Sequence, residues 1–202
     1  MARSFRLKWD QYTGKERQLS MKRLFFALTF DQSMTGRLTS VMDQIKPWVN
    51  QARWTRPQNL HVTLAFLGAC GTQTLGQLAG LLPPLAAATH AFSVQLAGWG
   101  LGGRHQDLLW VGLADQPALT DLVNRLRKAL SAAGLPVDQR PYWPHVTLAR
   151  QVDWLGDKPQ PRIDQTPCLM TRMCLMESLG HKEQLLYQPL MCQTLPLDER
   201  TS

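Results

Sequence analysis

An α+β fold in two lobes, related by a pseudo-two-fold axis with a cleft between them, is what these 202 residues predict. Three observations carry that expectation. Apolar runs of strand character alternate along the chain with stretches of helical period. A strand–helix–strand series followed by a hairpin is then succeeded by a second round. Finally, His61-Val62-Thr63-Leu64-Ala65 returns 84 residues later as His145-Val146-Thr147-Leu148-Ala149, an agreement expected by chance only about once in 10⁵ pairs of histidines.

The elements come in order along the chain. Leu24 to Phe30, LFFALTF, reads as a buried strand. Asp31 can cap a helix whose Met34, Leu38, Val41, Met42 and Ile45 recur at helical spacing, with Pro47 as its stop. A loop over 54–59 leads into the first HVTLA strand, which Gly68 ends. A second helix presents Leu75, Leu78, Leu82 and Leu85, and Pro83-Pro84 should perturb its end. AFSVQL alternates as a strand, GWGLGGR reads as a glycine-rich turn, and LLWVGL at 108–113 returns as its hairpin partner. A third helix over about 117–133 shows Leu119, Leu122, Val123, Leu126 and Leu130 on one face, with Gly134 placed to end it. The second HVTLA strand comes next, then a Pro-rich polar loop over 151–167. CLMTRMCLMESL and LLYQPLMCQTLPL read as two further strands joined at Gly180.

With 44% hydrophobic residues the chain can bury a sizeable core, and its length suits one domain of two closely packed lobes. Neither a run of about 18 apolar residues nor the apolar stretch of a signal peptide is present, so a soluble, cytoplasmic protein with no membrane association is expected. Lys and Arg exceed Asp and Glu by 22 to 15, and the net charge of +7 favours an anionic partner such as nucleic acid. The first 23 residues hold seven cations and two anions, so any basic cleft has to come from local placement. Residues 1–20 form a basic N-terminal extension, read as a weakly ordered arm because it lacks a periodic apolar face; an extension upstream of a natural start at Met21 is the alternative. Residues 21–202 form the bilobal domain. Cys70, Cys168, Cys174 and Cys192 show neither CxxC nor zinc-ligand spacing and are expected as reduced, buried thiols.

The repeat is where the chemistry lies. In a strand, residues two apart share a face, so each copy presents a histidine beside a threonine while Val and Leu enter a core. Histidine's unperturbed pKa of about 6.5 makes both protonation states available near neutrality. One neutral His can then take a proton from an attacking water while a cationic His gives one to the departing sugar oxygen of a cyclic phosphodiester. Thr63 and Thr147 are placed to donate to the non-bridging oxygens as charge accumulates there. No carboxylate cluster adjoins either motif, so neither a metal nor another cofactor is expected.

Taken in order, RLFFAL, NLHVTLAFLG and RPYWPHVTLAR resemble the two-histidine (2H) phosphoesterases, specifically the bacterial LigT-like RNA 2′,3′-cyclic phosphodiesterases, from about Met21 to Leu195. The resemblance implies a bilobal 2H fold of antiparallel sheets and helices around a central cleft. It further implies metal-independent hydrolysis of RNA 2′,3′-cyclic phosphate ends to 2′-phosphates, with His61 as proton donor and His145 as proton acceptor. The same histidines would serve reversible joining of 2′-5′ RNA ends. The implied partner is RNA with a 2′,3′-cyclic phosphate end, tRNA halves and 2′-5′-linked RNA among the candidates, and the implied state is a monomer. An aromatic residue five positions after the first His and an arginine five after the second correspond to Phe66 and Arg150, for base stacking and phosphate contact. Strict alternation places both on the face opposite the histidines, so they reach the cleft only if each strand bends.

His90, His105 and His181 read as solvated loop residues, and Trp54, Trp99, Trp110, Trp143 and Trp154 as core or rim anchors, with nucleobase stacking as the alternative. Two other functions compete with the leading one: a 2H phosphodiesterase acting on a small cyclic nucleotide or sugar phosphate, and a non-catalytic RNA-end-binding protein.

Overall fold

The computed structural model describes residues 21–180 and 185–198; the basic extension and His181 lie outside them. The strand β1 (Lys22–Thr29) shows how the sequence divides the interior. Its side chains alternate, and both faces are covered. Leu24, Phe26 and Leu28 enter the main core, whereas Phe25 and Ala27 enter a smaller cluster with Cys174, Met176, Tyr187 and Cys192. The helix α1 (Gln32–Ile45) starts where Asp31 accepts the Met34 amide at 2.7 Å, and a 3₁₀ turn containing Pro47 succeeds it. Next come β2 (Val49–Trp54), β3 (His61–Cys70) and α2 (Thr72–Ala87).

The second round comprises β4 (Phe92–Val94), β5 (Leu96–Gly102), β6 (Leu108–Leu113), α3 (Pro117–Ala132) and β7 (His145–Trp154). It closes with β8 (Cys168–Met170), β9 (Arg172–Leu179) and β10 (Leu186–Thr194). All strand pairs are antiparallel, in one sheet ordered β10-β9-β1-β3, a second ordered β2-β7-β6-β5, and a two-stranded β4-β8 ribbon. The helix α2 lies against β9, β10 and α3, and α3 also touches β3. The predicted α+β class is the class found. No helix among the described residues is long and apolar enough to cross a membrane.

Six local readings are corrected. β2 is a strand where no strand was expected; it is an edge strand with no fully buried residue, so its sequence VNQARW lacks alternation. AFSVQL is broken at Gln95 into β4 and the start of β5, which belong to different sheets, and CLMTRMCLMESL is likewise broken at Thr171 into β8 and β9. The glycines of GWGLG lie within β5 instead of forming the turn. Gly98 bulges the strand at φ +53°, and a Cβ on Gly100 would run into the Trp110 ring across the hairpin. The helix α2 continues through Pro83 and Pro84 to Ala87. Both prolines are exposed, so the carbonyls they leave unpaired can face water while buried Leu82, Leu85 and Ala86 hold the turn. Lastly, Cys70 and Cys168 are free and buried, but Cys174 and Cys192 form a disulfide, because they are register partners across β9 and β10. Their separation of 18 residues carries no motif, and only the strand pairing brings them together.

Candidate active site

β3 and β7 carry the two repeats and touch where the two large sheets meet. Val62 and Leu64, and likewise Val146 and Leu148, enter the main core. His61, Thr63, His145 and Thr147 all line one cavity of about 800 Å³. The same hydrogen bond orients each imidazole. His61 Nδ1 lies 2.6 Å from the carbonyl oxygen of Asn59, and His145 Nδ1 lies 2.9 Å from that of Trp143, two residues upstream in both cases. A carbonyl can only accept, so Nδ1 carries the hydrogen and Nε2 is the nitrogen left for proton transfer. In the first copy Nε2 lies 3.0 Å from Thr63 Oγ1.

The two rings differ in their surroundings. His61 packs against the pair Phe25 and Tyr187, the three ring centroids lying 5.0 Å from one another. Burial lowers its pKa to about 4, assisted by the positive charge of His145 and Arg150 and opposed by the Asn59 hydrogen bond. The His145 ring stacks on Trp143 at 4.8 Å, and Trp143 in turn meets Trp110 edge-on at 4.3 Å.

Phe66 and Arg150 both line the cavity, against the expectation from strict alternation. The cause is a bulge in each strand at the same place in the repeat. Along β1 the pairing passes from Thr63 to Ala65 and skips Leu64; along β6 it passes from Thr147 to Ala149 and skips Leu148. The extra residue reverses the parity of the positions that follow it, in β3 up to a second skip at Leu67. Phe66 stands at the rim, 54% exposed, with the Arg23 guanidinium 5.7 Å from its ring centroid.

Arg53, Arg56, Arg127 and Arg140 join Arg23 and Arg150 on the cavity lining, where Asp138 is the one acidic side chain among the described residues. Asp138 is already paired with Arg140 at 2.5 Å, which holds its carboxyl well below the usual range. A modest overall excess of cations thus becomes a basic cleft by placement. Among the described residues no group of three or more His, Cys, Asp or Glu could hold a metal ion. His90 and His105 are exposed and do not line the cavity.

Besides the five arginines other than Arg150, sequence reasoning missed Tyr142, Asn59 and Tyr187 on the lining. Tyr142 donates its hydroxyl to the Thr63 carbonyl at 3.0 Å and so ties the segment before β7 to β3. Asn59 and Tyr187 surround His61. Asn59 stands two residues before the histidine, in a loop whose polar composition suggested exposure; Tyr187 lies 126 residues away and has no local signal.

Comparison with known proteins finds relatives by sequence and by fold. An RNA 2′,3′-cyclic phosphodiesterase of Geobacillus stearothermophilus is 33% identical over 108 residues, covering 52% of this chain and 34% of that protein. The enzyme of the same name from Escherichia coli K12 is 27% identical over 176 residues, covering 84% and 94%. This chain therefore spans about a third of the former and nearly all of the latter. The crystal structure of E. coli LigT complexed with 3′-AMP superposes with a TM-score of 0.70 at 26% identity, covering 87% of this chain and 98% of that one. The family model of the 2′-5′ RNA ligase superfamily matches residues 39–182 and takes in both histidine motifs, and to that superfamily this chain belongs.

Proposed function

We propose that the protein hydrolyses RNA 2′,3′-cyclic phosphate ends to 2′-phosphates without a metal ion. The observation that carries the reading is the pair of imidazoles on one basic cavity, each held by Nδ1 so that Nε2 is left for chemistry. Water attacks phosphorus, the P–O3′ bond breaks, His145 takes the proton from water and His61 supplies one to the leaving O3′. Thr63 and Thr147 donate to the non-bridging oxygens, while Arg150 offsets the phosphate charge and Phe66 stacks on a base. With a pKa of about 4 His61 is neutral at pH 7, so its role as donor requires it to take up a proton together with the substrate. The anionic phosphodiester provides the opposing charge for that step. Run in the same direction with an RNA 5′-hydroxyl in place of water, the same proton transfers form a P–O5′ bond as P–O3′ breaks and so join 2′-5′ ends. The names of the curated relatives and the 3′-AMP complex of LigT support a ribonucleotide ligand.

The test is incubation with a short RNA ending in a 2′,3′-cyclic phosphate, in excess EDTA, with identification of the terminal phosphate. A 2′-phosphate product is expected. His61→Ala and His145→Ala should each lower kcat by at least about a hundredfold, because each removes one of two complementary proton-transfer groups. Retention of more than about a tenth of wild-type kcat by either folded variant would refute the assignment. Binding of the RNA end without turnover in the wild type would instead favour a non-catalytic end-binding protein.

A further inference from the structure

The two histidines sit in equivalent hydrogen bonds, yet the carbonyls that orient them are secured differently. Before His145 the position is Trp143, whose own ring stacks on the imidazole and is 48% exposed at the cavity. Before His61 it is Asn59, whose side chain turns away from the imidazole into the protein and is 4% exposed. Pro57 and Gln58, the other residues of that 3₁₀ turn, are exposed.

The Asn59 amide bridges to a strand far away in the chain. Nδ2 donates to the Leu185 carbonyl at 2.8 Å, and Oδ1 accepts the Tyr187 amide at 3.0 Å. Its main chain is occupied as well, the amide donating to the Arg56 carbonyl at 2.8 Å and the carbonyl accepting from His61 Nδ1 at 2.6 Å. Tyr187, which the side chain holds, lays its ring edge against His61. One buried residue therefore fixes both the acceptor that sets the His61 tautomer and the aromatic wall against the ring. A buried amide satisfied at both ends in this way specifies one geometry and is costly to disturb.

We infer that Asn59 is a positioning residue for His61, clamping the start of β3 to β10 so that the His61 ring is held in one orientation. The inference rests on the proposed reading of His61 as a proton-transfer group. The lowered pKa of His61 fits the clamp, since the ring packs against the Phe25–Tyr187 pair beside His145 and Arg150. A donor acting across an angstrom-scale gap loses rate steeply when it is misplaced.

The experiment compares Asn59→Ala and Asn59→Ser with the wild-type chain and with His61→Ala, using the cyclic-phosphate RNA assay and NMR of the imidazole protons. Both Asn59 variants should lower kcat about ten- to a hundredfold, with KM changed less than about threefold. The hydrogen-bonded Nδ1–H signal of His61 should broaden or vanish while that of His145 persists, and the His61 titration midpoint should rise as water gains access to the ring. The inference is overturned if kcat stays within about threefold of wild type, if the His61 signal is unchanged, if both histidine signals are lost together, or if both variants are unfolded at 25 °C. Absence of turnover in the wild type, with the selective change at His61 still present in the variants, would refute the proposed function and leave the clamp standing.

Discussion

A histidine held neutral by burial makes a testable demand on pH. The His61 pKa is about 4 in the folded protein, against about 6.5 in an unfolded chain. Between those values the unfolded state binds more protons, so this residue's contribution makes stability rise with pH from about 4 to 6.5 and stay level above it. Replacing it by Phe, which cannot titrate, should flatten that dependence by up to about 3 kcal/mol, read from chemical denaturation at pH 4.5 and pH 7. Equal slopes for the two proteins would show that the ring is not kept from protonating. Adding 3′-AMP should raise the His61 midpoint in NMR titrations, since an anion offsets His145 and Arg150; no movement at saturation would count against its role as donor. The Val and Leu of each motif have one low-energy destination, the core, so the positions of His61, Thr63, His145 and Thr147 on one face were legible in the sequence. Asn59 and Tyr187 were not, because their partners come from another strand. Gly100 belongs with them. Adding a methyl group there should displace Trp110, disturb Trp143 beneath His145, and cost about 1–3 kcal/mol. Unchanged stability and activity in Gly100→Ala would mean that the indole stack is not needed.

Strand periodicity gave most elements their type, and it failed where a strand is irregular or unburied. One skipped residue in β3 and one in β7 bring Phe66 and Arg150 round to the cavity, and nothing in HVTLAF or HVTLAR marks the bulge. The glycines of β5 look like a turn because turn and close packing both demand a missing side chain; only the Trp110 ring opposite distinguishes the two. The disulfide between β9 and β10 is of the same kind, since a register of strands is needed to see it. It sits in the cluster with Phe25 and Tyr187, which pack against His61. Closing an 18-residue separation restricts the unfolded chain, so reduction should cost about 3 kcal/mol and lower Tm by several degrees. Melting curves with and without dithiothreitol, repeated on Cys192→Ser, provide the check. A reductant effect that persists in the Ser variant would assign it to something other than this bond.

For the molecule as a whole, the repeat and the order of elements were enough to predict two α+β lobes with the histidines at their seam, because each half must bury the apolar face of its own strands, while the antiparallel sheets were what the family resemblance implied. Net charge predicted less. Its excess is concentrated in the first 23 residues, yet the described cavity holds six arginines against one aspartate, an arrangement that composition cannot reveal. That arrangement makes an RNA end and a small cyclic phosphate distinguishable by experiment. A 2′,3′-cyclic mononucleotide offers one phosphate, which Arg150 and the threonines beside the histidines can serve. The other lining arginines add positive charge that a single phosphate does not use, and further phosphates along the cleft would meet it. An oligonucleotide should therefore show the higher kcat/KM at about 50 mM salt, and the advantage should shrink towards 500 mM, by roughly one power of salt concentration per additional phosphate held. Deleting residues 1–20 separates the basic extension from the cleft. The truncated chain should keep its turnover of the mononucleotide and most of its salt-dependent preference, because the cavity arginines remain. Equal kcat/KM for the two substrates at low salt would point to a small cyclic phosphate as the ligand, and a preference that disappears with the extension would place RNA binding on that segment instead of in the cleft.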